Sequence, residues 1–369
     1  MLYEILYPLS KYFIGFNLFR YISFRAIFAA LTAFLVCVVV GPGIIRLLRY
    51  HHFGERCCSG SAEIDRLRWE KHKTPTMGGV IILLAIVVSV LLFGRLDNLY
   101  VILGLWTVVA FSVIGAADDW IKLTRPGRGM KSLTKLKFQS LVAAVIVFVL
   151  YINVKDRPQL TSLQLPLVKD WVFDLGPLYL VLSFLVIVGT TNGVNFTDGM
   201  DGLAIGGVTM TGLTFLVITY IVGQADLTRF LNVIYVPGAS ELTVFLGAVV
   251  GAGLGFLWFN CFPAQVFMGD TGSLALGAAL GYVAIVCRQE IALMIAGLMF
   301  VADGVSVVLQ VGSYRLFGKK ILPFAPISNW WLLRSRNGGP QLHEVKVTVR
   351  YWIVMALMGA LSLVLLKVR

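Results

Sequence analysis

Ten apolar runs, each of roughly the length that crosses a bilayer, constrain this chain more than any other feature. They lie near residues 22–45, 75–93, 98–117, 138–154, 175–191, 202–222, 241–259, 272–287, 291–312 and 349–366. A transmembrane helix needs about 17–25 mainly apolar residues, and inside lipid a helix pairs all of its own backbone polar groups. The sequence therefore predicts an all-α polytopic membrane protein with about ten transmembrane helices.

The composition agrees with this class, because 58% of the residues are hydrophobic and only 14% are charged, whereas a soluble domain averages about 25% charged residues. The five cysteines form no CxxC pair and have no zinc spacing, so they predict neither a disulfide framework nor a zinc site. The first residues lack the pattern of a cleaved signal peptide. We expect a single integral-membrane domain over 1–369, with a small external hairpin at 155–172.

The basic residues indicate how the chain is oriented. With ten spans, three alternate loops hold seven, six and seven basic residues, which is 20 of the 31 in the chain. The positive-inside rule places these loops in the cytoplasm and both termini outside. The net charge of +12 therefore indicates membrane topology. Nucleic-acid binding is not expected, since the basic loops lack the aromatic platforms of single-strand binders.

Five carboxylates fall in loops on that same predicted face, namely Asp118, Asp119, Asp198, Asp201 and Asp270. A charged residue costs about 2.5–3.5 kcal/mol at the centre of a membrane helix, so carboxylates at the ends of spans need a partner. A hydrated cation bound to phosphate is a natural one. The pattern predicts an enzyme that handles anionic substrates at a membrane face.

Each acidic motif also has a purely structural interpretation. Asp118 and Lys122 share a helical face and can form an ordinary i,i+4 ion pair. The segment 192–204 holds more Asn, Asp and Gly than a helix cap requires, whereas Asp270 in Asp-Thr-Gly-Ser could simply cap the next helix. Glycines 247, 251 and 255 form a GxxxG series that predicts close helix packing.

Four motifs, in order along almost the whole chain, resemble one family. They are Thr74-Pro-Thr-Met-Gly-Gly79, Asp118-Asp119, Asn195-Phe-Thr-Asp-Gly-Met-Asp-Gly-Leu-Ala204 and Ala264-Gln-Val-Phe-Met-Gly-Asp-Thr-Gly-Ser273. The chain thereby resembles the bacterial phospho-N-acetylmuramoyl-pentapeptide transferases, within the polyprenyl-phosphate N-acetylhexosamine-1-phosphate transferase superfamily. The resemblance implies ten transmembrane helices, usually a homodimer, in the bacterial cytoplasmic (inner) membrane with the active site facing the cytoplasm. It also implies Mg²⁺-dependent transfer from UDP-MurNAc-pentapeptide to undecaprenyl phosphate, giving lipid I and UMP for peptidoglycan synthesis.

The same resemblance implies roles for individual residues. Asp270 would ligate Mg²⁺, and Asp118 and Asp119 would be catalytic groups that position or activate the lipid phosphate. The implied substrate-binding residues are Lys71, Lys122 and Lys135 for phosphates, Asn195, Asp198, Gly199 and Asp201 for the nucleotide-sugar cleft, and Asn260, Phe267 and Gln310 for the nucleoside.

One segment departs from the family pattern. Where the family carries a run of histidines, this chain has Ser328-Asn329-Trp330-Trp331, and no side chain there can titrate like an imidazole. Asp303 also stands where the family usually has Glu. Three alternatives to the active transferase therefore remain: a sister transferase using another UDP-HexNAc donor, a catalytically weakened scaffold homologue, and a transporter with broken helices.

Overall fold

The computed structural model describes residues 1–50, 74–125, 129–154, 161–165, 168–334 and 343–367. Its α-helices are α1 (Leu2–Leu6), α2 (Ile22–Tyr50), α3 (Gly79–Phe93), α4 (Leu99–Thr124), α5 (Ser132–Val154), α6 (Leu178–Thr197), α7 (Leu203–Val222), α8 (Ala225–Leu231), α9 (Leu242–Asn260), α10 (Gly269–Cys287), α11 (Glu290–Ala296), α12 (Leu298–Phe317), α13 (Ile327–Arg334) and α14 (Glu344–Leu365). Short 3-10 helices cover Pro8–Lys11, Ile14–Arg20 and Ala239–Glu241.

The predicted spans coincide with apolar helices. Within the described residues, eight helices are long and apolar enough to cross a membrane, and α3 is a shorter apolar helix. The run predicted near 291–312 differs from a single straight span, because the chain bends by 90° between α11 and α12. The break falls at Gly297, whose backbone leaves the helical region with φ −96° and ψ 25°.

Helix α10 forms the centre of the bundle. Its side chains are buried from Asp270 to Cys287, and it packs against α4, α6 and α7. Small residues allow the close approach: a Cβ on Gly277 would lie 2.7 Å from Thr191 Cα on α6. Because the helix is enclosed by protein along its length, its first turn can hold a charged residue away from lipid.

The glycine series on α9 packs against α2, as the sequence predicts. A Cβ on Gly247 would lie 2.5 Å from Ala26 O, and one on Gly251 would lie 2.0 Å from Ala30 O. Any larger residue at these positions would separate the two helices. The contact therefore depends on the missing side chains.

The predicted hairpin is present as two antiparallel strands, β1 (Ser162–Leu165) and β2 (Val168–Asp174). Within the part of the chain that the structure describes, they form a two-stranded sheet. It lies between α5 and α6. The opposite end of the bundle holds the loops that carry the acidic motifs. There the end of α4 meets the start of α10, and the start of α14 meets the turn between α6 and α7. The predicted convergence of these loops on one face is therefore confirmed.

Candidate active site

Two helix ends bring three carboxylates together. Asp118 and Asp119 lie near the end of α4, Asp270 is the second residue of α10, and all three are buried. The two helices approach closely because Gly115 faces the backbone of α10. A Cβ on Gly115 would lie 2.1 Å from Asp270 O, so a glycine is required for this geometry.

Two lysines supply the positive charge of the cluster. Lys122 Nζ lies 3.1 Å from Asp118 Oδ2, 3.0 Å from Asp270 Oδ2 and 3.8 Å from Asp119 Oδ1. Lys135 Nζ, from the first turns of α5, lies 2.5 Å from Asp270 Oδ2 and 3.5 Å from Asp118 Oδ2. The i,i+4 pair that the sequence indicates is thus part of a larger network, which can bind both phosphate and a cation.

Asn195 joins α6 to this network. Its Nδ2 donates to Asp270 Oδ1 at 2.7 Å and to Ser273 Oγ at 2.8 Å, and its Oδ1 accepts from Lys135 Nζ at 3.3 Å. The amide therefore fixes both an acidic and a basic member of the cluster. Ser273 was not singled out in the sequence, although it belongs to the same Asp-Thr-Gly-Ser motif.

Neighbouring Asp118 and Asp119 have different partners. Asp118 Oδ1 accepts a hydrogen bond from the Met130 backbone N–H at 2.5 Å, and its Oδ2 faces the two lysines. Asp119 instead accepts hydrogen bonds from the backbone N–H groups of Asp270 and Thr271, at 3.1 and 2.9 Å. The first carboxylate faces the basic groups, and the second one faces the start of α10.

Asp201 and Asn260 connect two loops, and their predicted contacts with the substrate stay predictions. Asp201 Oδ2 accepts from the Ala264 N–H at 3.1 Å. Asn260 Oδ1 accepts from the Gly202 N–H at 3.1 Å, while its Nδ2 donates to Val266 O at 2.9 Å. Both side chains are 4% exposed. These hydrogen bonds hold the loop between α9 and α10 against the turn before α7.

Asp198 and Gly199 form the turn that ends α6, where the Gly199 N–H donates to Thr197 O at 2.8 Å. Both residues are half-buried, and this turn adjoins the helix end that carries Asn195. Asp198 and Gly199 therefore lie three and four residues after Asn195, at the same end of α6.

Phe267 lies beside the family motif at 74–79. Its N–H donates to Pro75 O at 2.8 Å, and its carbonyl accepts from the Gly78 N–H at 2.8 Å. The ring is half-buried, so it can offer a face to a planar base. Lys71, the remaining predicted phosphate ligand, lies outside the described residues.

The hydrogen bonds of Gln310 given by the structure are to the backbone after α12 and not to the carboxylate cluster. Its Nε2 donates to Leu322 O at 3.0 Å, and its Oε1 accepts from the N–H groups of Ile321 and Leu322 at 3.2 and 2.9 Å. These bonds fix the segment that follows α12. The structure gives Gln310 a bracing contact, and the predicted nucleoside contact stays a prediction.

Asp303 connects the atypical segment to α6. This carboxylate is fully buried; its Oδ2 accepts from Thr197 Oγ1 at 2.9 Å and its Oδ1 from the Ser328 N–H at 3.0 Å. The replacement Ser328–Trp331 therefore begins next to the turn that carries Asp198. Sequence reasoning noted Asp303 only as a departure from the family, and its isolation inside an apolar run was the signal that it has a buried partner.

An apolar cavity of about 670 Å³ lies beside the cluster, bounded by α5, α6, α11 and α12. Ser132 and Asn192 line it, three residues before Lys135 and Asn195 respectively, and Glu290 lines it on α11. Most of the remaining lining is aliphatic, including Leu185 and Val305. The cavity can hold a long hydrocarbon chain whose polar end lies near the lysines.

Comparisons with known proteins agree with this arrangement. The model of glycosyl transferase family 4 matches residues 99–288, and signature 1 of the phospho-N-acetylmuramoyl-pentapeptide-transferases matches residues 71–83. Three curated relatives carry the name phospho-N-acetylmuramoyl-pentapeptide-transferase. They come from Oleidesulfovibrio alaskensis (43% identical), Thermodesulfovibrio yellowstonii (43%) and Syntrophus aciditrophicus (44%), each aligned over 100% of both chains. The chain therefore belongs to the phospho-N-acetylmuramoyl-pentapeptide-transferase family.

Proposed function

We propose that this protein transfers phospho-MurNAc-pentapeptide from UDP-MurNAc-pentapeptide to undecaprenyl phosphate, giving lipid I and UMP in peptidoglycan synthesis. Full-length identity above 40% with the curated relatives supports the reaction. The observation that carries the proposal for this chain is the cluster in which the buried Asp118 and Asp270 meet the partly exposed Lys122 and Lys135, beside a large apolar cavity. One site thus offers charge for two phosphorylated substrates and room for a lipid.

The bond changes define what the residues must do. An oxygen of the acceptor phosphate attacks the phosphorus next to the sugar, and the bond from that phosphorus to the oxygen of UMP breaks. Both reactants are anions, so catalysis depends mainly on positioning and charge neutralisation. In our proposal Lys122 and Lys135 hold phosphate oxygens, and Asp118 positions or activates the acceptor phosphate.

Asp270, together with Asp118, would hold the magnesium ion. The Oδ2 atoms of these two carboxylates lie 3.0 and 3.1 Å from one cationic nitrogen, Lys122 Nζ, which supports a site where both can contact a cation. The described residues contain no group of three or more His, Cys, Asp or Glu side chains arranged around a metal. Mg²⁺ usually binds through one or two carboxylates together with substrate phosphates. When bound, it would supply Lewis-acid stabilisation and orientation of the pyrophosphate.

The cavity supports a place for the polyprenyl chain. Its aliphatic lining suits a hydrocarbon, and Ser132 and Asn192 connect it to the helix ends that carry Lys135 and Asn195. An acceptor lying in the cavity would direct its phosphate at the basic groups. The apolar wall would also keep water from this side of the site.

The proposal includes an orientation and an assembly. We place the site on the cytoplasmic face of the bacterial inner membrane, because the distribution of basic residues among the loops predicts that side. A homodimer is proposed from the family resemblance alone.

Two alternatives have observations in their favour. The atypical segment at Ser328–Trp331 adjoins the turn with Asp198 through Asp303 and Thr197, so it could select another UDP-HexNAc donor. The missing histidines favour a weakened scaffold homologue. The assembled charge cluster argues against a scaffold, since binding alone needs no buried arrangement of opposed charges.

The experiment is UMP release by detergent-purified protein given undecaprenyl phosphate, Mg²⁺ and either UDP-MurNAc-pentapeptide or UDP-GlcNAc. We expect turnover of the muramoyl donor, loss of turnover with EDTA, and none for Asp270→Ala. Turnover of UDP-GlcNAc alone would assign the protein to a sister transferase. Failure with both donors, while the folded protein still binds nucleotide, would favour the scaffold.

A further inference from the structure

The carboxylate of Asp119 is fully engaged by the start of α10. Its Oδ1 accepts from the Asp270 N–H at 3.1 Å, and its Oδ2 accepts from the Thr271 N–H at 2.9 Å and from Thr271 Oγ1 at 2.6 Å. The residue is 2% exposed. Lys122 Nζ is more distant from Asp119, at 3.8 Å, than from the other two carboxylates.

Through these contacts, Asp119 on α4 caps the N-terminus of α10. The first N–H groups of a helix have no partner within it, and usually the side chain of the N-cap residue accepts one of them. The N-cap of α10 is Met268, which makes no side-chain cap hydrogen bond. Asp119, 151 residues earlier than Asp270 in the chain, accepts these hydrogen bonds instead.

The local backbone is shaped around this carboxylate. Gly269 has φ +71°, a conformation that L side chains rarely adopt, and a Cβ there would lie 2.6 Å from Asp119 Oδ2. Because its two oxygens accept hydrogen bonds from three donors, Asp119 fixes the position of the first turn of α10 along the helix axis and its rotation about that axis. It therefore determines where the Asp270 side chain points.

We propose that Asp119 is a positioning residue, which acts through Thr271 and the backbone of α10 to hold Asp270 in place. Asp118 differs, because its Oδ2 faces the two lysines. The inference rests on the proposed transferase reaction, and it separates two adjacent aspartates to which sequence analysis gave one role. Thr271, which is 1% exposed, becomes a second positioning residue.

Thr271 gives the sharpest test, because it can be changed without altering a charge. Thr271→Val removes the hydroxyl donor and keeps the shape, whereas Thr271→Ser keeps the donor. We expect Thr271→Val to lower kcat about 10- to 100-fold, as for loss of a hydrogen bond to a charged group. The KM for UDP-MurNAc-pentapeptide should change less than about twofold, and Thr271→Ser should recover most of the lost kcat.

A double-mutant cycle tests whether Asp119 acts through Thr271. Asp119→Ala removes both acceptor oxygens and should abolish the cap, so adding Thr271→Val should lower kcat little further. If the fold reductions in kcat of the two single variants multiply in the double variant, the inference is wrong. It is also wrong if Thr271→Val leaves kcat unchanged or alters only KM. Thermal unfolding in detergent should confirm that Thr271→Val and Thr271→Ser are folded.

Failure of the proposed function would be recognised separately. If the wild-type protein releases no UMP from either donor, the reaction is wrong, and the cycle is then measured by thermal unfolding alone. A cap predicts that the two substitutions together lower Tm by less than the sum of their separate effects. Additive changes in Tm would reject the coupling of Asp119 and Thr271.

Discussion

Lys135 Nζ lies 2.5 Å from Asp270 Oδ2, although the two residues are 135 positions apart and belong to different helices. Both side chains are largely buried, at 15% and 12% exposure. A partly desolvated ammonium ion is attracted to its partner more strongly than an exposed one. It can exchange part of that interaction for a substrate phosphate.

Lys135→Met should therefore lower kcat/KM for the UDP-MurNAc-pentapeptide reaction about 10- to 100-fold, because a charge-assisted hydrogen bond is lost. Lys137→Met is the matched control, since Lys137 is exposed on the same helix. Steady-state UMP release measures both variants. If Lys135→Met and Lys137→Met lower kcat/KM equally, the effect comes from the overall positive charge at the start of α5 and not from the contact with Asp270.

Gly115→Ala should disrupt the site without removing any polar group. The added Cβ would lie 2.1 Å from Asp270 O, so α4 and α10 must separate, at a cost of about 1–3 kcal/mol. We expect a lower Tm in detergent and strongly reduced UMP release. Gly312→Ala is the control, since its Cβ would meet nothing within 4 Å. A Gly115→Ala enzyme with normal Tm and activity would contradict the close packing.

The aspartates and Lys122 could be predicted because charges next to apolar runs are rare enough to stand out, whereas Lys135 and the role of Asn195 came from the family resemblance. Asp118, Lys122, Lys135, Asn195 and Asp270 come together as the alternation of loops requires. The apolar runs also located the helices, since segment length and hydropathy are local properties.

What the sequence could not supply depends on contacts between distant segments. The bend at Gly297 depends on packing around α11 and α12, because a glycine in an apolar run is compatible with a straight helix. Similarly, no local pattern shows that Asp201 accepts a hydrogen bond from the Ala264 N–H, because a carboxylate at the end of a span can brace a loop as well as bind a ligand. The same residue types serve both purposes, and only the fold distinguishes them.

Arg25 and Glu241 form a buried ion pair at the end of the bundle away from the cluster. The guanidinium donates to both carboxylate oxygens, at 2.8 and 2.7 Å, and the side chains are 1% and 7% exposed. Arg25→Met leaves an unpaired buried charge, which typically costs about 3–5 kcal/mol. We expect a large drop in Tm in detergent.

The double variant Arg25→Met/Glu241→Gln should recover part of that Tm, because it removes the uncompensated charge. Arg95→Met serves as the exposed control. Its pair with Asp97 is 38% and 56% exposed, and such pairs contribute about 0–1 kcal/mol. A double variant less stable than Arg25→Met alone would argue against charge burial as the cause.

Asn260→Ala separates a bracing role from direct substrate binding. It removes the partners of the Gly202 N–H and Val266 O, each of which costs about 1–3 kcal/mol when buried and unpaired. Tm should fall together with activity. Gln265→Ala, an exposed side chain in the same loop, should change neither. An Asn260→Ala protein with normal Tm and a raised KM for the donor would instead favour direct contact with the nucleotide.

Gly189→Leu tests whether the apolar cavity holds the polyprenyl chain. Gly189 lines the cavity and a Cβ there would meet nothing within 4 Å, so leucine should fill space without displacing protein atoms. We expect the KM for undecaprenyl phosphate to rise about tenfold, while the KM for UDP-MurNAc-pentapeptide stays the same. Gly43→Leu is the matched control, because its position on α2 is equally open and lies outside the cavity. If the two leucine variants have the same acceptor KM, the chain of the acceptor binds elsewhere.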